Sequence, residues 1–257
     1  MIGIIGAGNM GRAIALRIKA KTIISDVDRS RLRIKKGRIL VTKDNISLTK
    51  RSKVIILAVK PQHIKGALKE IAPFVKDKLV ISIAAGVKTG ALEEILGRKR
   101  IVRAMPNMPA MVGKGITALA AGRFASKKDL RLARGIFLNL GEVVEVKESL
   151  MDAVTALSGS GPAYYFLFTD LVRRAGIRCG LKKDLSEKLA MATFIGAAES
   201  CRNTDISMQD FVKKVASKGG TTEAALKIFK QKKLALIVEQ AVMAAYKRSC
   251  QLSSRLK

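Results

Sequence analysis

Tryptophan is absent from this 257-residue chain, and only three tyrosines and one histidine occur. Aromatic platforms for stacking bases are therefore scarce. Cysteine is nearly absent too: Cys179, Cys201 and Cys250 are scattered, with no C-x-x-C spacing. That argues against a zinc site or a disulfide framework and fits a reduced cytoplasm; no metal is expected. Long apolar runs are also missing. None approaches the ~18 residues of a membrane span, and the longest candidate, Leu234 to Tyr246, is interrupted by Glu239 and Gln240. No basic leader precedes the first apolar run, so no signal peptide is expected and the chain reads as cytoplasmic. Acidic residues are few, 20 against 49 lysines and arginines, for a net charge of +29.

Such a charge raises nucleic acid as a partner. Its distribution argues otherwise. Residues 1–150 hold 31 basic and 11 acidic side chains, and the remainder hold 18 and 9. The excess is spread along the chain, with no basic tail and no RGG tract. It reads as a lysine- and arginine-rich surface, attractive to anionic metabolites, and neither nucleic acid nor membrane is an expected partner.

What is present is a core: 48% of the residues are hydrophobic, ample for a folded protein of one or two domains. The first half alternates short apolar runs with helical patterns. Strands are expected at Ile2–Ile5, Thr22–Ser25, Val54–Val59, Leu79–Ile83, Ile101–Ala104, Ile116–Ala120 and Glu142–Val146. The helical spacing between them implies parallel pairing and a doubly wound sheet. After about Ser149 the strand signal stops. Leu150–Leu157, Ala163–Ala175, Leu185–Cys201, Met208–Ala216, Glu223–Phe229 and Leu234–Leu252 read as helices, with Pro162 kinking or restarting one of them. Several are apolar over most of their circumference, which implies burial against a second copy. The fold class is thus an α/β Rossmann-type N-terminal domain, residues 1–150, followed by an all-α dimerisation domain, residues 151–257.

The opening MIGIIGAGNMG places Gly6, Gly8 and Gly11 in a GxGxxG pattern between a strand and a helix. The pattern alone is weak, but this context is the dinucleotide-binding one. Gly6 makes the tight turn, Gly8 admits a pyrophosphate, and Gly11 lets helix and strand pack. Ala7 lies within the turn. The free amides of Asn9, Met10 and Gly11 then face phosphate oxygens. Asp26, twenty residues after Gly6, can bind the 2′-hydroxyl of NAD and repel a 2′-phosphate. Arg29, Arg31 and Arg33 follow at once, and an arginine there can pair with that phosphate. The two signals conflict; the Asp26 position tips the reading toward NADH, with use of NADPH also open.

Further stretches line up in order: AVKPQ (58–62), SIAAGV (82–87), RAMPNMPAMVGKG (103–115), LSGSGPAYYF (157–166) and ASKGGTTEAAL (216–226). Together they closely resemble the pyrroline-5-carboxylate reductase family, over essentially the whole chain. The resemblance implies a Rossmann domain with a helical dimerisation domain, a homodimer or an oligomer of dimers, and an active site at the dimer interface. It implies NAD(P)H-dependent reduction of 1-pyrroline-5-carboxylate to L-proline. Residues Ala58, Val59, Lys60, Pro61, Ala84, Ala85, Gly86 and Asn107 would border the cofactor, and Asn45 its ribose. Ser217, Gly219, Gly220, Thr221 and Thr222 would hold the substrate. Asp205 would sit near its ring nitrogen. Two positions depart from the family pattern: Lys218 replaces a usual proline and Met108 a usual threonine.

The chemistry suits these residues. A cyclic imine protonated in solution accepts hydride without a dedicated strong acid. The Gly219–Thr222 amides precede a helix and offer a carboxylate site with Ser217. Thr222 would hydrogen-bond the ring nitrogen and is the one expected catalytic residue. Lys60 reads as shaping the cofactor pocket, and His63 as a surface residue at a helix start. The SGSGP glycines are not followed by the Gly-Lys-Ser/Thr of a phosphate loop. Two rival readings are a β-hydroxyacid or F420-dependent oxidoreductase with a similar nucleotide half, and a non-catalytic nucleotide-sensing or nucleic-acid-binding protein.

Overall fold

The computed structural model describes residues 1–34, 37–202 and 204–254. It divides into two compact units, Met1–Pro162 with Ala244–Lys257, and Ala163–Met243. The division falls after Pro162 because Met151 and Ala156 are buried in the first unit.

The first unit is built on eight strands: β1 (Ile2–Ile5), β2 (Thr22–Ser25), β3 (Ile39–Thr42), β4 (Val54–Leu57), β5 (Leu79–Ser82), β6 (Arg100–Pro106), β7 (Gly115–Ala121) and β8 (Gly141–Glu145). They form one sheet in the order β3-β2-β1-β4-β5-β6-β7-β8. Among the described residues, its α-helices include α1 (Asn9–Arg17), α2 (Asn45–Arg51), α3 (Pro61–Val75), α4 (Thr89–Leu96), α5 (Lys127–Phe137) and α6 (Met151–Val154). Strands β1, β2, β4 and β5 are buried at every residue, as a parallel sheet covered on both faces requires. Alternation along the strands sorts the core into two layers. Ile4, Ile24, Ile56 and Ile81 pack with Ile14 of α1, Ile18 just after it and Phe137 of α5. Ile5, Ile23, Ile55 and Val80 pack with Leu48 of α2, Ile64, Leu68 and Ile71 of α3, and Leu92 of α4.

Two details differ from the sequence expectation. Strand β3 was not among the expected strands. It is an edge strand whose only buried residue is Ile39, so its apolar signal is slight. Strand β7 runs antiparallel to β6, against the parallel pairing expected throughout. The link from Pro106 to Gly115 holds only a short 3₁₀ segment, Met108–Val112. A parallel return needs a crossover of about a dozen residues or more.

A buried polar cluster anchors the end of the chain. Arg103 of β6 is 2% exposed, with Glu148 and Asp152 each 3.8 Å from its guanidinium. Glu148 accepts from the Thr89 amide and hydroxyl, both at 2.7 Å, at the start of α4. Asp152 accepts from Ser249 and Ser253, both at 2.8 Å. Burial lowers the affinity of Arg103 for its proton, opposed by the two carboxylates.

Burial alone would raise the carboxyl of Asp152, but bonds from Ser249 and Ser253 and the charge of Arg103 hold it below the usual range. Asp129 behaves alike: burial opposes, while Ser126 and then Arg100 outweigh it. A carboxyl lowered in the fold contributes stability that is present above its unfolded value, about 3.9. That stability disappears as pH falls through the folded value. Thermal midpoints measured from neutrality downward should therefore drop below about pH 4. A flat profile to about pH 2 would contradict this.

The second unit is helical: α7 (Gly161–Arg178), α8 (Lys183–Ser200), α9 (Met208–Val215), α10 (Thr221–Gln231) and α11 (Leu234–Ser254), whose last turns return to the first unit. A π-helical turn, Thr155–Gly159, precedes α7. Pro162 sits in the first turn of α7, where its missing N–H leaves no bond unmade, so the helix restarts there. Among described residues 163–243 only Ser186 and Ala190 are buried. Leu167, Leu189, Ile195, Ile237 and Val238 are exposed. No helix among the described residues is long and apolar enough to cross a membrane.

Candidate active site

Strand order reverses between β1 and β4, whose carboxyl ends open a crevice, the usual ligand position in such sheets. A cleft of about 650 Å³ lies there. Its floor is the glycine turn. Gly6 has φ +107°, and a Cβ there would lie 2.6 Å from the carbonyl oxygen of Ala58. A Cβ on Gly11 would collide with the carbonyl oxygen of Gly6. A Cβ on Gly8 would meet nothing within 4 Å; it would project into open space. Helix α1 starts behind Gly8 with no side-chain cap and no acidic residue in its first turn. Its orphan amides and positive dipole end therefore fit a pyrophosphate.

Gly6, Gly8, Asn9, Met10, Asp26, Asn45, Ala58, Val59, Lys60, Pro61, Ala84 and Ala85 line this cleft. Ala7 and Gly11 are buried beneath it, and the Ala7 amide donates to Asp26 Oδ2 at 2.7 Å. Besides these two, three expected cofactor residues are not in its lining. Arg29 lines a neighbouring hollow with Arg33 and Lys43. Gly86, at φ +74°, is backed by Leu252, to whose Cβ a side chain there would come within 3.0 Å. Asn107 is engaged with the protein: its Oδ1 accepts from the Ile116 amide at 3.0 Å and its Nδ2 donates to Ser158 at 3.4 Å.

Arg31, one of the three arginines the sequence offered to a 2′-phosphate, lines the cleft, and other residues join it unannounced: Val27, Asp28, His63, Ala67 and Glu70. His63 is exposed at the start of α3, as expected, yet it faces the cleft. His63, Ala67 and Glu70 are spaced four and three apart, one helix face, and that spacing is legible in the sequence. Glu70 Oε2 accepts from Asn45 Nδ2 at 2.7 Å, and Asn45 Oδ1 accepts from Ser25 Oγ at 2.6 Å. Asn45 is thereby fixed on the wall.

In the second unit, Ser217, Gly219, Gly220, Thr221 and Thr222 form the turn into α10, with Gly219 at φ +71°. Two amides are already taken. Gly219 N–H donates to Glu223 Oε2 at 2.6 Å, and Gly220 N–H to the Ser217 carbonyl at 3.0 Å. The amides left for a ligand are those of the first turn, Thr221 and Thr222, which no side chain caps. Asp205 is exposed in the segment before α9.

Residues 148–252 match the family model described as pyrroline-5-carboxylate reductase dimerisation. Residues 1–86 match the one described as NADP oxidoreductase, coenzyme F420-dependent. The pyrroline-5-carboxylate reductase of Synechocystis sp. is 38% identical over 99% of this chain and 98% of that protein. This chain belongs to the pyrroline-5-carboxylate reductase family. The family reaches across kingdoms: the Pisum sativum reductase is 34% identical over 98% of this chain. Among solved structures, the Coxiella burnetii pyrroline-5-carboxylate reductase matches with TM-score 0.91 and 36% identity over 98% of both chains. The Plasmodium falciparum reductase with NADP bound matches at 0.88 and 31%, covering 98% of this chain and 97% of that one. The F420-dependent likeness is confined to the nucleotide half, so full-length reductase relatives decide between the rival readings.

Proposed function

We propose that this protein reduces 1-pyrroline-5-carboxylate to L-proline with NADH or NADPH. The observation that carries the reading is end-to-end identity with reductases of that name; the uncapped α1 terminus over an open Gly8 supports it independently. A nicotinamide cofactor, when bound, would supply the hydride. The chain supplies position and field. The α1 amides hold the pyrophosphate, Asp26 and Asn45 the ribose side, and Ala58–Pro61 with Ala84 and Ala85 the adjoining walls. The Thr221 and Thr222 amides, with the Ser217 hydroxyl, hold the substrate carboxylate at the positive end of α10. The Thr222 hydroxyl accepts from the protonated ring nitrogen, and Asp205 balances the iminium charge. His63 and Lys60 have no proton to move.

The helices of the second unit expose their apolar residues and match a dimerisation model, so a homodimer is the working form.

The test is Thr222→Val, which preserves shape and removes the hydroxyl. Hydrogen bonds to charged groups are worth ~1.5–3 kcal/mol, so kcat/KM for the imine should fall roughly ten- to a hundredfold. Cofactor affinity, measured by calorimetry, should not change. Unchanged kcat/KM would show that Thr222 does not touch the ring nitrogen.

A further inference from the structure

The chain carries 49 basic and 20 acidic residues, yet this cleft inverts that balance: three carboxylates line it, Asp26, Asp28 and Glu70, against two cations, Arg31 and Lys60. Asp26 is held in place. Its side chain is 8% exposed, its Oδ2 accepts from the Ala7 amide at 2.7 Å, and its Oδ1 accepts from the Asp28 amide at 2.9 Å. It cannot swing aside for a second anion without breaking both bonds, one of them to the glycine turn itself.

Arg31 is the arginine best placed to receive a 2′-phosphate, and it is already neutralised. Its Nε lies 3.2 Å from Asp28 Oδ2 and its Nη1 3.9 Å from Asp26 Oδ2. Arg29 and Arg33 line the separate hollow with Lys43. Val27, 90% exposed beside Asp26, offers an apolar surface to an adenine ring.

We propose that this cleft selects NADH over NADPH, with Asp26 as the specificity residue and Asp28 holding Arg31 away from the role of phosphate clamp. The inference rests on the reading of the protein as an NAD(P)H-dependent reductase. The ribose 2′-hydroxyl of NADH donates to Asp26. A 2′-phosphate there meets a fixed carboxylate about a hydrogen bond away, with a second carboxylate on the nearest guanidinium. Like charges at such range repel strongly in a partly desolvated cleft.

The experiment is calorimetric titration of the full-length protein with NADH and with NADPH, without substrate. NADH should bind at least about tenfold more tightly, a difference of ~1.4 kcal/mol. Asp26→Ser should shrink or reverse the ratio. That variant also loses a bond to the glycine turn, so Asp28→Asn, which removes the nearer of the two carboxylates on Arg31 and leaves Asp26 intact, provides a second arm. It too should shift the NADH-to-NADPH ratio toward NADPH. Equal or tighter NADPH binding by the unaltered protein overturns the selectivity and leaves the reductase reading standing. Failure to bind either nucleotide overturns both.

Discussion

Gly8→Ala should leave the fold intact and weaken NADH binding roughly ten- to a hundredfold, the loss expected when one charge-assisted contact to a phosphate is displaced. The added methyl meets no protein atom within 4 Å, and Gly8 already sits at φ −67°, open to any residue. Its stability change should stay below about 1 kcal/mol, the scale of exchanging one weak N-cap for another. Gly11→Ala should do the reverse. Its methyl collides with the backbone of Gly6, and neither partner is a side chain that can turn away. The thermal midpoint should fall by an amount equivalent to at least about 3 kcal/mol, beyond the usual overpacking range. Denaturation curves and calorimetry on the two variants check both halves. Wild-type affinity in Gly8→Ala would mean that the space above it holds no phosphate.

Arg103→Ala is the second large expected effect. The substitution leaves Glu148 and Asp152 facing a void where the guanidinium was, with Lys88 the remaining cation acting on Asp152. Removing one partner of a buried ion pair destabilises by about 3–5 kcal/mol. The lower end applies, because Glu148 keeps Thr89 and Asp152 keeps Ser249 and Ser253. Arg103→Met fills the same space without the charge and should recover part of the loss. Asp152 also ties α6 to the last turns of α11, so hydrogen exchange should rise first at residues 244–254. Chemical denaturation with exchange readout tests this. Stability within about 0.5 kcal/mol of wild type, the range of ordinary surface substitutions, would show that the cluster does not hold the chain end.

The parts of the fold that were legible in the sequence share one property: their signal is local. Ile2–Ile5 followed by Gly6, Gly8 and Gly11 spells a strand, a turn and a helix within a dozen residues, and Val54–Leu57 is an unbroken apolar run. The helices of the second unit followed from length and apolar content. Strand β3 did not, since its stability comes from backbone pairing with β2 rather than from its own burial. The reversal of β7 is decided by loop length, which periodicity does not report.

At the site, residue types were legible and their partners were not. Asp26 was read as a ribose ligand, but its bond to the Ala7 amide joins positions nineteen apart. Choosing among Arg29, Arg31 and Arg33 required the direction each side chain takes along one short 3₁₀ turn. The same holds for Ser217–Thr222: the glycines and threonines point to an anion site, and only coordinates reveal that Glu223 occupies the Gly219 amide. Glu70 and His63 joined the cleft through helical spacing from Pro61, a signal present in the sequence but without chemistry attached to it.

The decisive measurement is nucleotide oxidation by the purified protein, with NADH and NADPH, in the presence and absence of 1-pyrroline-5-carboxylate, with L-proline quantified at the end. Oxidation should require the substrate, yield proline equimolar with oxidised cofactor, and run with the higher kcat/KM on NADH. A folded protein that binds nucleotide in the β1–β4 cleft yet leaves it unoxidised when the imine is added would contradict the assigned reaction.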